Sequence, residues 1–155
     1  MSGALEVHVV TPEREVWAGD AESVIAHGVD GEVGILTGHA PMMVQLAIGL
    51  LRILREGEPE LRAVVDGGFM HVTSAAVEGA DPDADHGEDK SGTRVDVLAS
   101  SAELADDIDV EAARARATEL EERLVPGRDT DRSEAQTASI KAEHDKALAR
   151  ISIVG

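Results

Sequence analysis

The sequence predicts a mainly β protein with an α-helical end. An N-terminal antiparallel β-sandwich or barrel of about ten short strands (1–104) is followed by a C-terminal antiparallel two-helix hairpin (105–155). Three observations carry this prediction. Leu5, Val7 and Val9 alternate with Glu6, His8 and Val10, the period of a half-buried strand. Short apolar runs then recur up to about residue 100, separated by turn signals. From Asp109 the β-branched residues thin out, and Ala, Glu and Arg take over at helical spacing.

After the first strand, Thr11-Pro12-Glu13-Arg14 breaks the alternation. Further strands are expected at Glu15–Ala18, Ser23–His27, Val33–Leu36, Val44–Ala47, Leu50–Arg55, Leu61–Asp66, Phe69–Val77 and Arg94–Ala99. Val29-Asp30-Gly31, Gly38-His39-Ala40-Pro41, Glu56-Gly57-Glu58-Pro59 and Gly67-Gly68 supply the turns between them. The apolar run Leu46–Leu54 suits a strand covered on both faces. Residues 78–93, acidic and containing Pro and Gly, read as a mobile loop. Gly31, Gly34, Gly38, Gly67 and Gly68 are expected where turns need positive φ or close backbone approach.

In the helical part, Asp109 is placed to cap a first helix with a stripe of Ala113, Ala117, Leu120 and Leu124. Pro126-Gly127 stops that helix, and Arg128–Arg132 connects it to the next. Ser133 and Gln136 have capping-box spacing, and Ala135, Ala138, Ala142, Leu148 and Ala149 supply a second stripe. Both stripes are narrow and rich in alanine, which buries little area, so the hairpin is expected to hold to itself, or to the sandwich, only marginally, and a weakly docked element can have two resting places.

Composition narrows the function. The hydrophobic fraction of 43% suffices for a core, and with Trp17 and Phe69 as the sole aromatics that core must be aliphatic. The net charge of −17 leaves little for the basic face of a nucleic-acid binder. The charge is unevenly spread: residues 1–108 hold six basic and 21 acidic side chains, and residues 109–155 hold eight and ten. No cysteine is present, so disulfides and thiolate sites are excluded. No signal peptide and no membrane-spanning apolar run is visible.

The local strings resemble a known family. Val9-Val10-Thr11-Pro12-Glu13-Arg14 comes first, then Asp30-Gly31-Glu32-Val33-Gly34-Ile35-Leu36-Thr37-Gly38-His39-Ala40-Pro41. Val65-Asp66-Gly67-Gly68-Phe69 and Val97-Leu98-Ala99-Ser100-Ser101-Ala102-Glu103 follow. In order and spacing, from residue 5 to about residue 124, this resembles the epsilon subunit of bacterial F-type ATP synthase. The resemblance implies a non-catalytic rotor subunit of the central stalk on the cytoplasmic face of the cell membrane. Such a subunit couples rotation of the gamma subunit and c-ring to ATP synthesis. It also implies that Asp30, Glu32 and His39, read as turn residues, meet the rotor ring and gamma; for His39 a loop-stabilising hydrogen bond is an equal alternative. An extended hairpin would carry Arg114, Arg116, Arg123, Lys141, Lys146 and Arg150 to acidic segments of the alpha/beta catalytic head and restrain ATP hydrolysis. The bland reading of these cations is a solvated helix face with pairs such as Glu119–Arg123.

Some members of the family bind ATP through Ile-Asp-x-x-Arg-Ala, which implies Asp109, Arg114 and Arg116 as ATP candidates here. In Ile108-Asp109-Val110-Glu111-Ala112-Ala113, however, Ala112 stands in place of the arginine, so no resident cofactor is expected. Asp81, Asp83 and Asp85 do not make a calcium loop, because His86 and Gly92 occupy the sixth and twelfth positions. No His-x-x-x-His pair or Gly-x-Ser-x-Gly elbow is present, so neither a metal site nor a catalytic residue is expected. Apart from the resemblance, the residues read as a small β-domain adaptor whose helical hairpin binds a partner, with an isolated hydrolase ranked lower.

Overall fold

A computed structural model of the chain describes residues 5–74, 92–125 and 132–153. One sheet contains β1 (Leu5–Val10), β2 (Glu15–Ala21), β5 (Met42–Gln45), β8 (Gly68–Ser74) and β9 (Thr93–Ala99), in the order β2-β1-β9-β8-β5. The other contains β3 (Ser23–Gly28), β4 (Gly31–Leu36), β6 (Gly49–Leu54), β7 (Leu61–Val65) and β10 (Ala102–Leu104), in the order β10-β7-β6-β3-β4. A 3-10 turn at Ala105–Asp107 leads to α1 (Val110–Arg123) and α2 (Glu134–Ser152).

The sheets face each other across the expected aliphatic core. Leu5, Val7 and Val9 of β1 meet Val24, Leu51 and Ile53 from the opposite sheet, with Met70, Val72, Val95 and Val97 completing the layer. Alternation along β1 and β9 puts each second side chain into this layer, where a Val, Leu or Ile contributes about 1.5–3 kcal/mol.

The structure departs from the expected pattern in definite ways. The sandwich is not wholly antiparallel: β1 pairs with β9 in parallel, from Leu5 opposite Thr93 to Val10 opposite Leu98. The seven strands between them carry the chain back to the same end, which no hairpin could do. The expected strand at Val44–Ala47 ends earlier because the chain changes sheets there. Leu46 N–H donates to the Gly68 carbonyl at 2.8 Å and Ala47 N–H to His27 at 2.9 Å. The Leu46–Leu54 run is therefore broken before Gly49, and the strand buried on both faces is β7, where Ala63, Val64 and Val65 are all inaccessible.

Of the glycines, Gly68 best fits the backbone argument. Its φ is +104°, and a Cβ there would lie 2.1 Å from the Leu98 carbonyl oxygen. Gly34 departs from it: its φ is not positive, and a Cβ would meet nothing within 4 Å. The acidic loop falls mainly on residues 78–91, outside the described residues, as do Pro126-Gly127 and most of the connector. Thr93, assigned to that loop, instead opens β9 and is buried.

Both helix starts follow the local sequence. Asp109 Oδ1 accepts from Ala112 N–H at 3.1 Å. Ser133 and Gln136 close a reciprocal capping box at 3.1 and 2.9 Å. Ala113, Ala117 and Leu120 bury the face of α1 as expected. On α2 the expected stripe is wrong in most positions: Ala135, Ala138, Ala142 and Leu148 are exposed, while Ile140, Ala147 and Ala149 are buried. The larger Ile140 and Ile153 remove more apolar area from water than the alanines, and they set the rotation of the helix.

Candidate functional site

The C-terminal half of α2 lies on the outer face of β6, β7 and β10. Its apolar contact is small: Ala149 and Ile153 meet Val64, with Leu50, Ala105 and Ile108 around them. Polar contacts surround this patch. Arg150 Nε donates to Glu103 Oε2 at 3.0 Å, and its Nη2 meets Glu103 Oε1 to make a forked pair. Lys146 Nζ donates to Ser101 Oγ at 3.2 Å and lies 3.5 Å from Asp66. Arg62 Nη1 donates to the Ile153 carbonyl at 3.0 Å, so a strand guanidinium satisfies an open carbonyl at the helix end. Glu60 orients that arginine from 2.9 Å and takes a second ion pair from Arg52 at 2.6 Å. The Arg62 hydrogen bond, followed by that of Arg52, holds the Glu60 carboxyl below its ordinary range against the opposing effect of burial.

The other cations face the helices themselves. Arg114 pairs with Glu111 at 2.7 Å. Arg116 bridges Glu119 at 3.1 Å and Glu143 of α2 at 2.7 Å, and these partners push its pKa up. The expected Glu119–Arg123 pair therefore gives way to Glu119–Arg116. Arg116, Arg123 and Arg132 line an interhelical cavity of about 480 Å³. Lys141 is exposed on α2. His144 Nε2 lies 3.2 Å from Glu121, a second polar tie between the helices. Of the ATP candidates, Asp109 caps α1, Arg114 pairs with Glu111, and Arg116 pairs with Glu119 and Glu143.

Asp30, Glu32 and His39 do not form one cluster. Asp30 lies in the turn between β3 and β4, and His39 follows the far end of β4. The six residues of β4 separate them by about 20 Å at strand rise. Glu32 is within β4, opposite His27, and not in a turn. His39 Nδ1 donates to the Ala40 carbonyl at 2.7 Å, the loop-stabilising bond offered as its alternative role. Thr93 was missed by sequence reasoning: its buried Oγ1 accepts from Gly38 N–H at 2.7 Å and anchors the His39 loop to β9. A threonine beside a polar loop carried no sequence signal for this bond. Exposed apolar side chains stand beside both turns. Val29 precedes Asp30, and Leu36 and Met43, 65% and 62% exposed, flank the His39 loop.

Comparisons with known proteins agree with this architecture. Residues 4–78 match the family described as ATP synthase, Delta/Epsilon chain, beta-sandwich domain. The chain is 42% identical to an ATP synthase epsilon chain of Brevibacillus brevis over 77% of each chain. It is 46% identical to one of Thermobifida fusca over 74% of this chain and 73% of the relative. It is 35% identical to one of Moorella thermoacetica over 98% and 97%. A chain in the Euglena gracilis mitochondrial ATP synthase structure, OSCP/F1/c-ring, shares the fold with a TM-score of 0.74 at 18% identity. That similarity covers all of this chain and 84% of the other, so the fold includes the helical end as well as the sandwich.

Proposed function

Because this chain belongs to the ATP synthase epsilon-chain family, we propose that it is a rotor subunit with a latched brake. It is a non-catalytic subunit of the synthase, working in the central stalk between the gamma subunit, the c-ring and the alpha/beta head. The sandwich, taken as residues 1–104, attaches to gamma and the ring through Asp30, Glu32 and the His39 loop. The exposed Val29, Leu36 and Met43 support this reading, because apolar side chains beside a charged turn suit a protein interface. Their spread, from Val29 before β4 to Leu36 at its end and Met43 in β5, favours two contact regions rather than one.

The hairpin, residues 105–155, regulates hydrolysis. One observation carries this: Lys146 and Arg150, two of the six cations assigned to the catalytic head, are engaged by Asp66, Ser101 and Glu103 when α2 is docked. Docking and braking then compete for the same side chains. Release frees Lys146 and Arg150 to join Arg114, Arg116, Arg123 and Lys141 against acidic segments of the head. No helix of the described residues is long and apolar enough to cross a membrane. The subunit works as a peripheral part of the complex on the cytoplasmic face of the cell membrane. It needs no resident cofactor, and the missing arginine at Ala112 argues against a regulatory ATP at Asp109, Arg114 and Arg116.

The test compares the full chain, a Lys146→Gln/Arg150→Gln variant and a chain ending at residue 108 on a matched catalytic complex. All three are expected to bind gamma, and only the full wild-type chain to suppress ATP hydrolysis. Equal hydrolysis with all three would remove the brake. Failure of every form to bind gamma would remove the stalk assignment.

A further inference from the structure

α2 has three working faces. Ile140, His144 and Ala147 turn toward α1, and Lys146, Arg150 and Ile153 toward β7 and β10. The third face, with Asp145, Leu148 and Ser152, forms one wall of a groove of about 770 Å³. The opposite wall is the outer face of β3, β4 and β6, including Ile25, Glu32 and Leu50. The groove exists because α2 lies over β6 and β7 and leaves the β3–β4 side of the sheet uncovered.

We propose that this groove docks a basic amphipathic segment of a partner protein, and that the segment, gripping both walls, holds the hairpin down. The floor is apolar: Ile25 and Leu50 are partly buried, while Leu148 is 43% exposed in the docked hairpin. An exposed leucine facing a sheet across an open groove is an anchor for an incoming apolar side chain. The unpaired charge in the groove is acidic: Arg52 is held at 2.6 Å by Glu60, a carboxylate it shares with Arg62, whereas Glu32 and Asp145 have no ion-pair partner among the described residues. These two carboxylates come from different walls, so a cation between them ties helix to sheet. A second copy of this chain, with its net charge of −17, is disfavoured as the occupant.

The consequence is a coupling. Glu32 was assigned above to the rotor contact, yet it shares its groove with the movable helix. A basic partner segment seated there stabilises the docked hairpin by binding a surface that exists only when α2 is down. This rests on reading the hairpin as a movable brake, but its test needs only the isolated full chain.

Because the chain has no cysteine, two introduced cysteines carry spin labels without competition, at exposed Glu13 and exposed Ala142. The probe is a synthetic helical peptide of Leu and Lys, apolar on one face, at physiological ionic strength. The peptide should bind, leave the label distance at its docked value and slow amide exchange in α2. The Glu32→Gln/Asp145→Asn variant should bind about fivefold more weakly, and Glu56→Gln, a carboxylate outside the groove, should bind like the parent chain. Leu148→Ala, at an exposed position, should weaken binding independently of charge. Absence of binding, equal loss in the Glu56 variant, or a longer label distance with peptide would overturn the proposal. Gamma binding and hydrolysis assays of the complex remain separate readouts, so failure here leaves the stalk assignment intact.

Discussion

Replacing Glu103 by Gln should loosen α2 while leaving the sandwich folded. The substitution keeps the size of the side chain and removes its charge from the forked pair with Arg150. The two side chains are 28% and 32% exposed, so solvent screens the pair in part. A charge-assisted forked pair so placed is worth about 1 kcal/mol, between an exposed ion pair and a buried one. That shifts the docked–released equilibrium about fivefold. The apolar patch of Val64, Ala149 and Ile153 remains, so docking weakens without being abolished. Hydrogen exchange should report the shift: α2 amides from Ile140 to Ser152 exchange about fivefold faster if they exchange through release, while β1 and β9 amides keep their protection. Arg150→Gln should act similarly, and the double variant should add little to either change alone. Unchanged exchange in α2, or fully additive single changes, would refute the role given to this pair. Accelerated exchange in β1 and β9 would mean that the substitution damages the sandwich rather than the latch.

Other substitutions test the fold and the loop. Gly68→Ala should destabilise the chain by about 3 kcal/mol or more in urea unfolding, because its Cβ meets the Leu98 carbonyl and its φ is left-handed. Gly34→Ala, with open space around it, should stay within about 0.5 kcal/mol of the parent, and equal effects at the two sites would contradict this reasoning. Thr93→Val leaves the Gly38 N–H without its acceptor and should lower stability by about 1–2 kcal/mol, with Thr93→Ser restoring it; a neutral Thr93→Val would detach the His39 loop from β9. His8 lies 2.9 Å from Glu6 and 3.3 Å from Glu15, and their hydrogen bonds, Glu6 first, raise its pKa above the ordinary value of about 6.5. The folded state holds this proton more tightly than the unfolded chain. The contribution is therefore fully present below about pH 6.5 and is lost as pH rises through the raised value. A proton NMR titration should find the His8 midpoint raised and Glu6→Gln lowering it; a midpoint at or below the ordinary value would show that the carboxylates do not hold the imidazole.

Interactions between near neighbours in the chain were legible in the sequence. The alternation in β1, the Asp109 cap, the Ser133–Gln136 capping box and the change from strand to helix all depend on residues a few positions apart. The family resemblance rests on strings of the same kind, such as Gly31–Pro41. What tertiary structure decided depended on partners far along the chain. β1 lies parallel to β9 across the whole sandwich, and β7 is buried on both faces because α2 covers it. The buried face of α2 followed Ile140 and Ile153 rather than its more numerous alanines, since burial area outweighs residue count. The same packing brought Lys146 and Arg150 to the carboxylates of Asp66 and Glu103. Helical periodicity alone leaves those cations on a solvated face, because it contains no information about which surface the helix will meet.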